Sequence, residues 1–317
     1  MKPKLYIMVG LSASGKSTIS KELTKKENCI IVSSDAIRGE ICAGGVSDQS
    51  KNEEVFKIFH RRIRENLQAG NNVIADATNI KIKSRAAIFN AVKDVDCEKI
   101  AYIMTKQYED CIKDNVDREY PVPEEVIKRQ MYSYQIPFIE EGFDKIIIHD
   151  NNKPANIYFK EHLMYLMYDF DQKNPHHNET LFDHCDNTEY LFVNDGDTRY
   201  SKYIKYYTGA FFHDVAKLFT QTFDENGIAH YYSHENCGSY YMLSHYNDLR
   251  FFIYDYNDEN VLDNLFLINY HMMPFNWNSD KTYNKWKKIF GDFKYQMLLD
   301  FHKCDKARKN TNETSQN

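Results

Sequence analysis

The residues able to do chemistry fall into two groups. Near the start, Gly10-Leu-Ser12-Ala-Ser14-Gly15-Lys16-Ser17-Thr18 fits the pattern G-x-x-x-x-G-K-[ST]. Glycines let such a loop turn its N–H groups onto phosphate oxygens, and the N-terminus of the following helix adds partial positive charge. Gly10, Ser12, Ser14, Gly15, Lys16, Ser17 and Thr18 are therefore the candidate nucleotide-binding residues. In that arrangement Lys16 reaches the β- and γ-phosphates and the Ser17 hydroxyl takes a place on the metal, so the implied cofactors are ATP and Mg²⁺. Two carboxylates follow, each at the end of an apolar run: Asp35 in Ser33-Ser34-Asp35-Ala-Ile-Arg38, and Asp76 in Asn72-Val-Ile-Ala-Asp76. Asp35 is placed to accept the proton of an attacking hydroxyl, with Arg38 on a phosphate nearby; equally, Ser34 and Asp35 would serve as helix caps. Asp76 would hold Mg²⁺ through water or cap a helix beginning near Ile82. The cluster His60, Arg61, Arg62 and Arg64 reads as a solvated helix face.

The second group is rich in histidine. Eleven of the twelve histidines, all but His60, lie from His149 onward. His184, His213-Asp214, His234, His271 and Asp305 supply imidazoles and carboxylates, donors that suit Mn, Ni, Co, Zn or Fe, with geometry choosing among them. An adjacent His-Asp pair puts two side chains on neighbouring metals, the aspartate bridging. Two such ions clamp a phosphoester and make hydroxide near neutral pH. Taken singly, each histidine is a buried hydrogen-bonded ring or a solvated group.

The elements that must position these groups differ between the halves. Over residues 1–150, short apolar runs alternate with helical stretches: Leu5–Val9, Cys29–Ser33, Asn72–Asp76, Glu98–Thr105 and Asp144–His149 read as strands. Helices are predicted between them, including Ser17–Lys26, Ser47–Ala69, Ser84–Val92, Gln107–Arg118 and Glu124–Tyr134. That alternation predicts a parallel sheet with helices on both faces, and strand-end carboxylates facing one crevice. After the turn-rich Asp150-Asn-Asn-Lys-Pro154 the chain becomes aromatic and helical.

The first half resembles the kinase domain of bacteriophage-type polynucleotide 5′-hydroxyl kinases. The matching features are the Gly10–Ser17 loop, Ser34-Asp35-Ala-Ile-Arg38, Asp76-Ala-Thr78-Asn79 with Arg85 after it, and Arg118 shortly before Val122-Pro123. The resemblance implies that Asp35 is the general base on a 5′-OH, that Arg38 contacts the acceptor phosphate, and that Arg118 is a lid arginine on the donor phosphates. The chain departs from the family one turn before that arginine. There it reads Cys111-Ile-Lys113-Asp114, leaving only Lys113, out of place, for the usual second lid cation.

The second half resembles the all-helical HD phosphohydrolase superfamily. Asn174-Pro-His176-His177-Asn-Glu-Thr180-Leu-Phe-Asp-His184 looks like the opening of such domains, and Phe212-His213-Asp214-Val-Ala-Lys217 is close to the core H-D-x-x-K. The resemblance implies that His184, His213, Asp214 and Asp305 ligate metal and that His234 and His271 add a second ion. Lys217 would contact a substrate phosphate. His234 is preferred to His230 because Ser233-His234-Glu235 with Gly238-Ser239 matches the superfamily setting; His177 would reach substrate, and His245 and His302 read as structural.

The expected architecture is an α/β P-loop domain over residues 1–152, an all-α HD-type domain over 156–308, and a polar tail at 309–317. The net charge of −6 argues against a chain-wide grip on nucleic acid but leaves room for a local basic groove. Seven scattered cysteines without a C-x-x-C pair read as reduced thiols. No stretch looks like a signal peptide or a membrane span, so the expected location is the cytoplasm, of the host if the chain is phage-encoded. A 5′-hydroxyl kinase beside a metal phosphohydrolase implies an enzyme that heals RNA or DNA ends. The alternatives are a small-molecule nucleoside or nucleotide kinase with an HD nucleotide phosphohydrolase, or a nucleotide-gated sensor whose HD module is not catalytic. Sequence does not specify the oligomeric state.

Overall fold

The computed structural model describes residues 2–150, 153–173, 179–194 and 202–307. The expected tail at 309–317, and His176 and His177, lie outside the described residues. The chain divides into two compact units, one of residues 1–154 with 243–247 and one of 155–242 with 248–317.

In the first unit the order is β1 (Lys4–Val9), α1 (Lys16–Glu27), β2 (Cys29–Ser33), α2 (Ser34–Ile41), α3 (Asn52–Gln68), β3 (Asn72–Asp76), α4 (Ile82–Ala91), β4 (Glu98–Met104), α5 (Tyr108–Asn115), α6 (Glu124–Met131) and β5 (Lys145–His149). Among the described residues of this unit, five strands form one parallel sheet in the order β2-β3-β1-β4-β5. β1 is the central strand, and Leu5 to Val9 are all buried. A strand covered on both faces reads as a continuous apolar run, as this one does. The path from β1 to β2 runs one way across the sheet and the path from β3 to β4 runs the other. With right-handed crossovers, α1 lies on one face and α3 and α4, which touch each other, lie on the opposite face. The crevice at such a reversal opens at the carboxyl ends of the strands. The Gly10–Thr18 loop, Asp35, Asp76 and the residues after β4 all stand on that edge.

Three helices are shorter than their sequence patterns: α3 begins at Asn52 rather than Ser47, α6 ends at Met131 rather than Tyr134, and α5 also ends early. α5 stops at Asn115, not at Arg118. The Asn115 side chain donates to the Val122 carbonyl at 2.7 Å and accepts from its N–H at 3.0 Å. It thereby ties off a loop from 116 to 122, and Arg118 sits on that loop.

The second unit contains α7 (Phe159–Tyr168), α8 (Leu181–Val193), α9 (Tyr207–Phe211), α10 (Lys217–Thr220), most of α11 (His234–Ser244), the end of α12 (Tyr246–Leu249), α13 (Asp258–Tyr270) and α14 (Asp280–Lys306). A two-residue antiparallel ladder, β6 (Thr222–Phe223) with β7 (Ala229–His230), departs from the expected all-α pattern. α13 is buried almost all round from Asn260 to Tyr270, as a central helix must be. α9 crosses it closely: a Cβ on Gly209 would lie 2.7 Å from the Asn264 carbonyl oxygen. The Gly209 N–H donates to Asn264 Oδ1 at 2.7 Å. That contact sets His213, just past α9, beside His271, just past α13, with ring centroids 5.0 Å apart. α14 is broken at Gly291 (φ 73°, ψ 166°), a conformation open to glycine and strained for other residues, and its second half carries Asp305. All seven cysteines are free thiols.

Candidate active sites

The first site is a cleft of about 740 Å³ at the carboxyl edge of the parallel sheet. The glycine loop wraps around Lys16, whose Nζ donates to the carbonyls of Gly10 at 3.1 Å and Leu11 at 2.6 Å. Lys16 is buried, and burial pushes its pKa down, with the Asp76 charge opposing. Gly15 sits at φ 91°, a backbone position that favours glycine, and a Cβ on Gly10 would crowd the Ser14 and Met104 side chains at 2.7 and 2.9 Å. Ser17 Oγ donates to Asp76 Oδ2 at 3.0 Å. Burial raises the Asp76 pKa, while Lys16 and the Ser17 bond lower it. The Thr18 N–H donates to the Gly15 carbonyl at 3.1 Å, opening α1. Gln130 on α6 pins the loop, accepting from the Ser12 N–H at 2.8 Å and donating to Ser12 Oγ at 3.0 Å.

The loop fits a polyphosphate. Ser14 Oγ is buried without a hydrogen-bond partner among the described residues, an orphan that a phosphate oxygen would satisfy. A serine hydroxyl beside a buried carboxylate is a hard-oxygen pair suited to Mg²⁺.

Across the cleft, Asp35 is half exposed and lies between two guanidiniums. Arg38 Nη1 is 2.9 Å from Asp35 Oδ1, and Arg118 Nη2 is 3.9 Å from Oδ2. Arg38 is itself held by Asn52, whose Oδ1 accepts from Nη2 at 2.9 Å. The buried Arg38 Nε has no partner among the described residues. Arg85 does not enter the cleft lining. It is fully buried, pairs twice with Glu141 at 2.6 and 2.7 Å, and donates to the Asn79 carbonyl at 3.0 Å, bracing the turn after Asp76. Lys113 is likewise absent from the lining, whereas Lys106, Arg129 and Gln130 belong to it. Lys106 Nζ donates to the Ala13 carbonyl at the loop's apex, at 3.0 Å, and pairs with Asp114. The position of Lys106 just past β4, next to the loop-bearing strand, was the available signal.

The second site is a cage of side chains from α8, the turn after α9, the start of α11, the end of α13 and the end of α14. Thr180 caps α8, accepting from the Asp183 N–H at 3.1 Å, and this places His184 in the first turn. Asp214 is the centre. Its Oδ2 lies 3.4 Å from His184 Nε2 and 3.3 Å from His213 Nε2; its Oδ1 lies 2.9 Å from His234 Nε2 and 3.5 Å from His271 Nε2. Asp305 Oδ1 stands 3.1 and 3.4 Å from the first pair. Lys217 Nζ is 2.7 Å from Asp214 Oδ2 and donates to Gln172 Oε1 at 2.8 Å. His230 is elsewhere, on the ladder, 3.3 Å from Asp224.

Hydrogen-bond bookkeeping says what the cage can hold. The Nδ1 atoms of His213, His234 and His271 each lie 2.8 Å from a backbone carbonyl, those of Ala210, Tyr231 and Ile268. His184 Nδ1 faces Glu179 Oε1 at 3.3 Å. A carbonyl accepts only, so these Nδ1 atoms carry the hydrogen, and Nε2 of a neutral ring is a bare lone pair. The lone pairs meet in twos, His184 with His213 and His234 with His271, at 3.3 Å each. Bare lone pairs and carboxylates at that range need positive charge between them. Burial alone would lower the His184 pKa, but Asp214, Asp305 and Glu179 outweigh it and push it up to about 11. For Asp214, burial is outweighed by Lys217 and the neighbouring imidazoles, which hold it well below the usual carboxylate range. Protons or cations must balance the cage, and imidazole plus carboxylate is a transition-metal donor set. Two three-residue groupings satisfy ligand spacing, His184-His213-Asp214 and Asp214-His234-His271.

Residues 5–137 match the family model AAA_33, an AAA domain. The L-seryl-tRNA(Sec) kinase of Methanococcus maripaludis is 29% identical over 145 residues, 44% of this chain and 56% of that protein. The chain thus spans a little over half the length of this curated relative. A structure of the Pnkp1/Rnl/Hen1 RNA repair complex is 23% identical over 41% of this chain and 43% of its own, with a TM-score of 0.37. A gluconokinase from Sinorhizobium meliloti 1021 is 15% identical over 48% and 85%, with a TM-score of 0.36. The parallel sheet, the glycine loop and the family match together make the first unit a P-loop kinase-like α/β domain.

Proposed function

We propose that the chain is a bifunctional nucleic-acid end-healing enzyme. The first unit phosphorylates 5′-OH polynucleotide ends with ATP, and the second removes a 2′,3′-cyclic or 3′-phosphate. The carrying observation is that one chain holds two converging phosphate-chemistry sets: Asp35 with Lys16 and two arginines on one cleft, and four imidazoles around Asp214. Many ribonucleases leave a 5′-OH and a cyclic phosphate, and ligation needs the reverse ends. One chain with both activities restores them.

In the first unit the acceptor oxygen bonds to the γ-phosphorus as its proton passes to Asp35, and ADP departs. Lys16 and Arg118 spread the phosphoryl charge, Arg38 holds the acceptor strand, and Ser17 with Asp76 would hold Mg²⁺. Such a transfer needs positioning and charge neutralisation more than covalent help. In the second unit His184, His213, Asp305 and Asp214 Oδ2 would hold one divalent ion, and His234, His271 and Asp214 Oδ1 another. Bound there, the ions supply a nucleophile at neutral pH and a clamp on the phosphoester. Lys217 orients the phosphate.

The test is direct. Labelled ATP, Mg²⁺ and a 5′-OH oligonucleotide should yield labelled ends, and Mn²⁺, Ni²⁺ or Co²⁺ with a 3′-phosphate oligonucleotide should release phosphate. Phosphorylation of a free nucleoside without labelling of the oligonucleotide would remove the polynucleotide claim. The name of the Methanococcus relative favours a second acceptor, a hydroxyl carried on an aminoacylated tRNA. Seryl-tRNA assayed beside the oligonucleotide separates the two.

A further inference from the structure

A cavity of about 430 Å³ opens over the imidazole cage. That is within the range of sites that enclose a whole small ligand, and more than an isolated phosphate requires. Its wall includes, besides the donors, Glu179, Lys217, Met272 and Ala307, and two further side chains, Phe275 and Lys306. Both come from segments that also deliver cage residues. Phe275 lies in the 3₁₀ turn Met273–Asn276, just past His271, and Lys306 follows Asp305 at the end of α14.

Phe275 is 46% exposed and packs against one neighbouring ring. The His302 ring meets it edge-on at 90°, with centroids 4.2 Å apart. Lys306 Nζ stands over the ring, 5.9 Å from its centroid. Single exposed aromatics are ordinary. This one meets a neighbouring ring, is partnered by an ammonium, and belongs to the wall of a cavity that sets Met272 and Ala307 beside its ionic groups. An aromatic face with a cation beside it suits a nucleobase and its adjoining phosphate.

We propose that Phe275 and Lys306 form a base-stacking ledge over the cage, selecting phosphoesters that carry a nucleobase. The proposal rests on the phosphohydrolase reading of the cage. The shared ligand chemistry is a nucleoside phosphate, either a strand's 3′ end or a free nucleotide.

The experiment uses the full chain loaded with Mn²⁺. Phosphate release is followed from a 3′-phosphate oligonucleotide, adenosine 3′-monophosphate and base-free glycerol 2-phosphate. Phe275→Ala should lower the nucleotide-to-glycerol-phosphate ratio of kcat/KM by about ten-fold, and Phe275→Trp should restore it. An unchanged ratio in Phe275→Ala overturns the ledge and leaves the cage reading standing. If wild type hydrolyses none of the three, the cage reading fails. Stacking is then read from the fluorescence of a 3′-phosphate oligonucleotide ending in 2-aminopurine. Quenching by wild type that Phe275→Ala loses supports the ledge; quenching equal in both, or absent in wild type, overturns it. The nucleotidic substrate with the larger kcat/KM identifies the source.

Discussion

At the scale of single residues, the two centres should fail separately. Asp35→Asn removes the proposed base and should lower 5′-phosphorylation by about 10²- to 10⁴-fold, with phosphate release from a 3′-phosphate oligonucleotide retained. Asp214→Ala should do the reverse, and both rates measured on each variant check this. Lys106 offers a less obvious prediction. Its ammonium lies on the loop's apex carbonyl and faces the cleft that Lys113 does not reach. Lys106→Ala should raise the KM for ATP about ten-fold, consistent with one lost charge-assisted contact. The glycine loop was legible in sequence because its chemistry occupies nine consecutive positions. Lys106 and Gln130 were not, because only the order of the strands brings them to the loop.

At the scale of elements, close packing sets the geometry of the imidazole cage. Gly209 exists where α9 meets the Asn264 backbone, and Gly209→Val must push the two helices apart. The expected cost is about 1–3 kcal/mol, read as a lower midpoint in urea, together with weaker metal retention as His213 and His271 separate. In the first unit, Arg85→Ala strands the buried Glu141 carboxylate and should destabilise by about 3–5 kcal/mol, again measured by urea unfolding. Helix and strand identities in the first unit followed from apolar periodicity. The end of α5 did not, since Asn115 closes a contact seven residues away. The β6–β7 ladder was missed because two-residue strands carry no period.

At the scale of the whole chain, the second unit should gain stability from metal. Stripping with EDTA and adding Mn²⁺ to a hundred times its Kd contributes about 2.7 kcal/mol, a rise of roughly 5–10 °C in melting temperature for a unit of this size. Asp214→Ala should abolish the rise. The residue types of the cage and their convergence followed from the resemblance, but the distances did not: His184 and Asp305 are 121 positions apart, and folding brings them to 3.1 Å. No helix among the described residues is long and apolar enough to cross a membrane.

The two oxygens of Asp214 look in opposite directions, each toward its own imidazole pair. On the proposed two-ion reading, occupancy of the halves is thermodynamically linked. Whichever dication arrives first would withdraw electron density from the shared carboxylate, and its like-charged successor would meet a weaker partner. Calorimetric titration of the stripped protein should resolve two unequal steps, and dialysis at low metal should leave a singly loaded species.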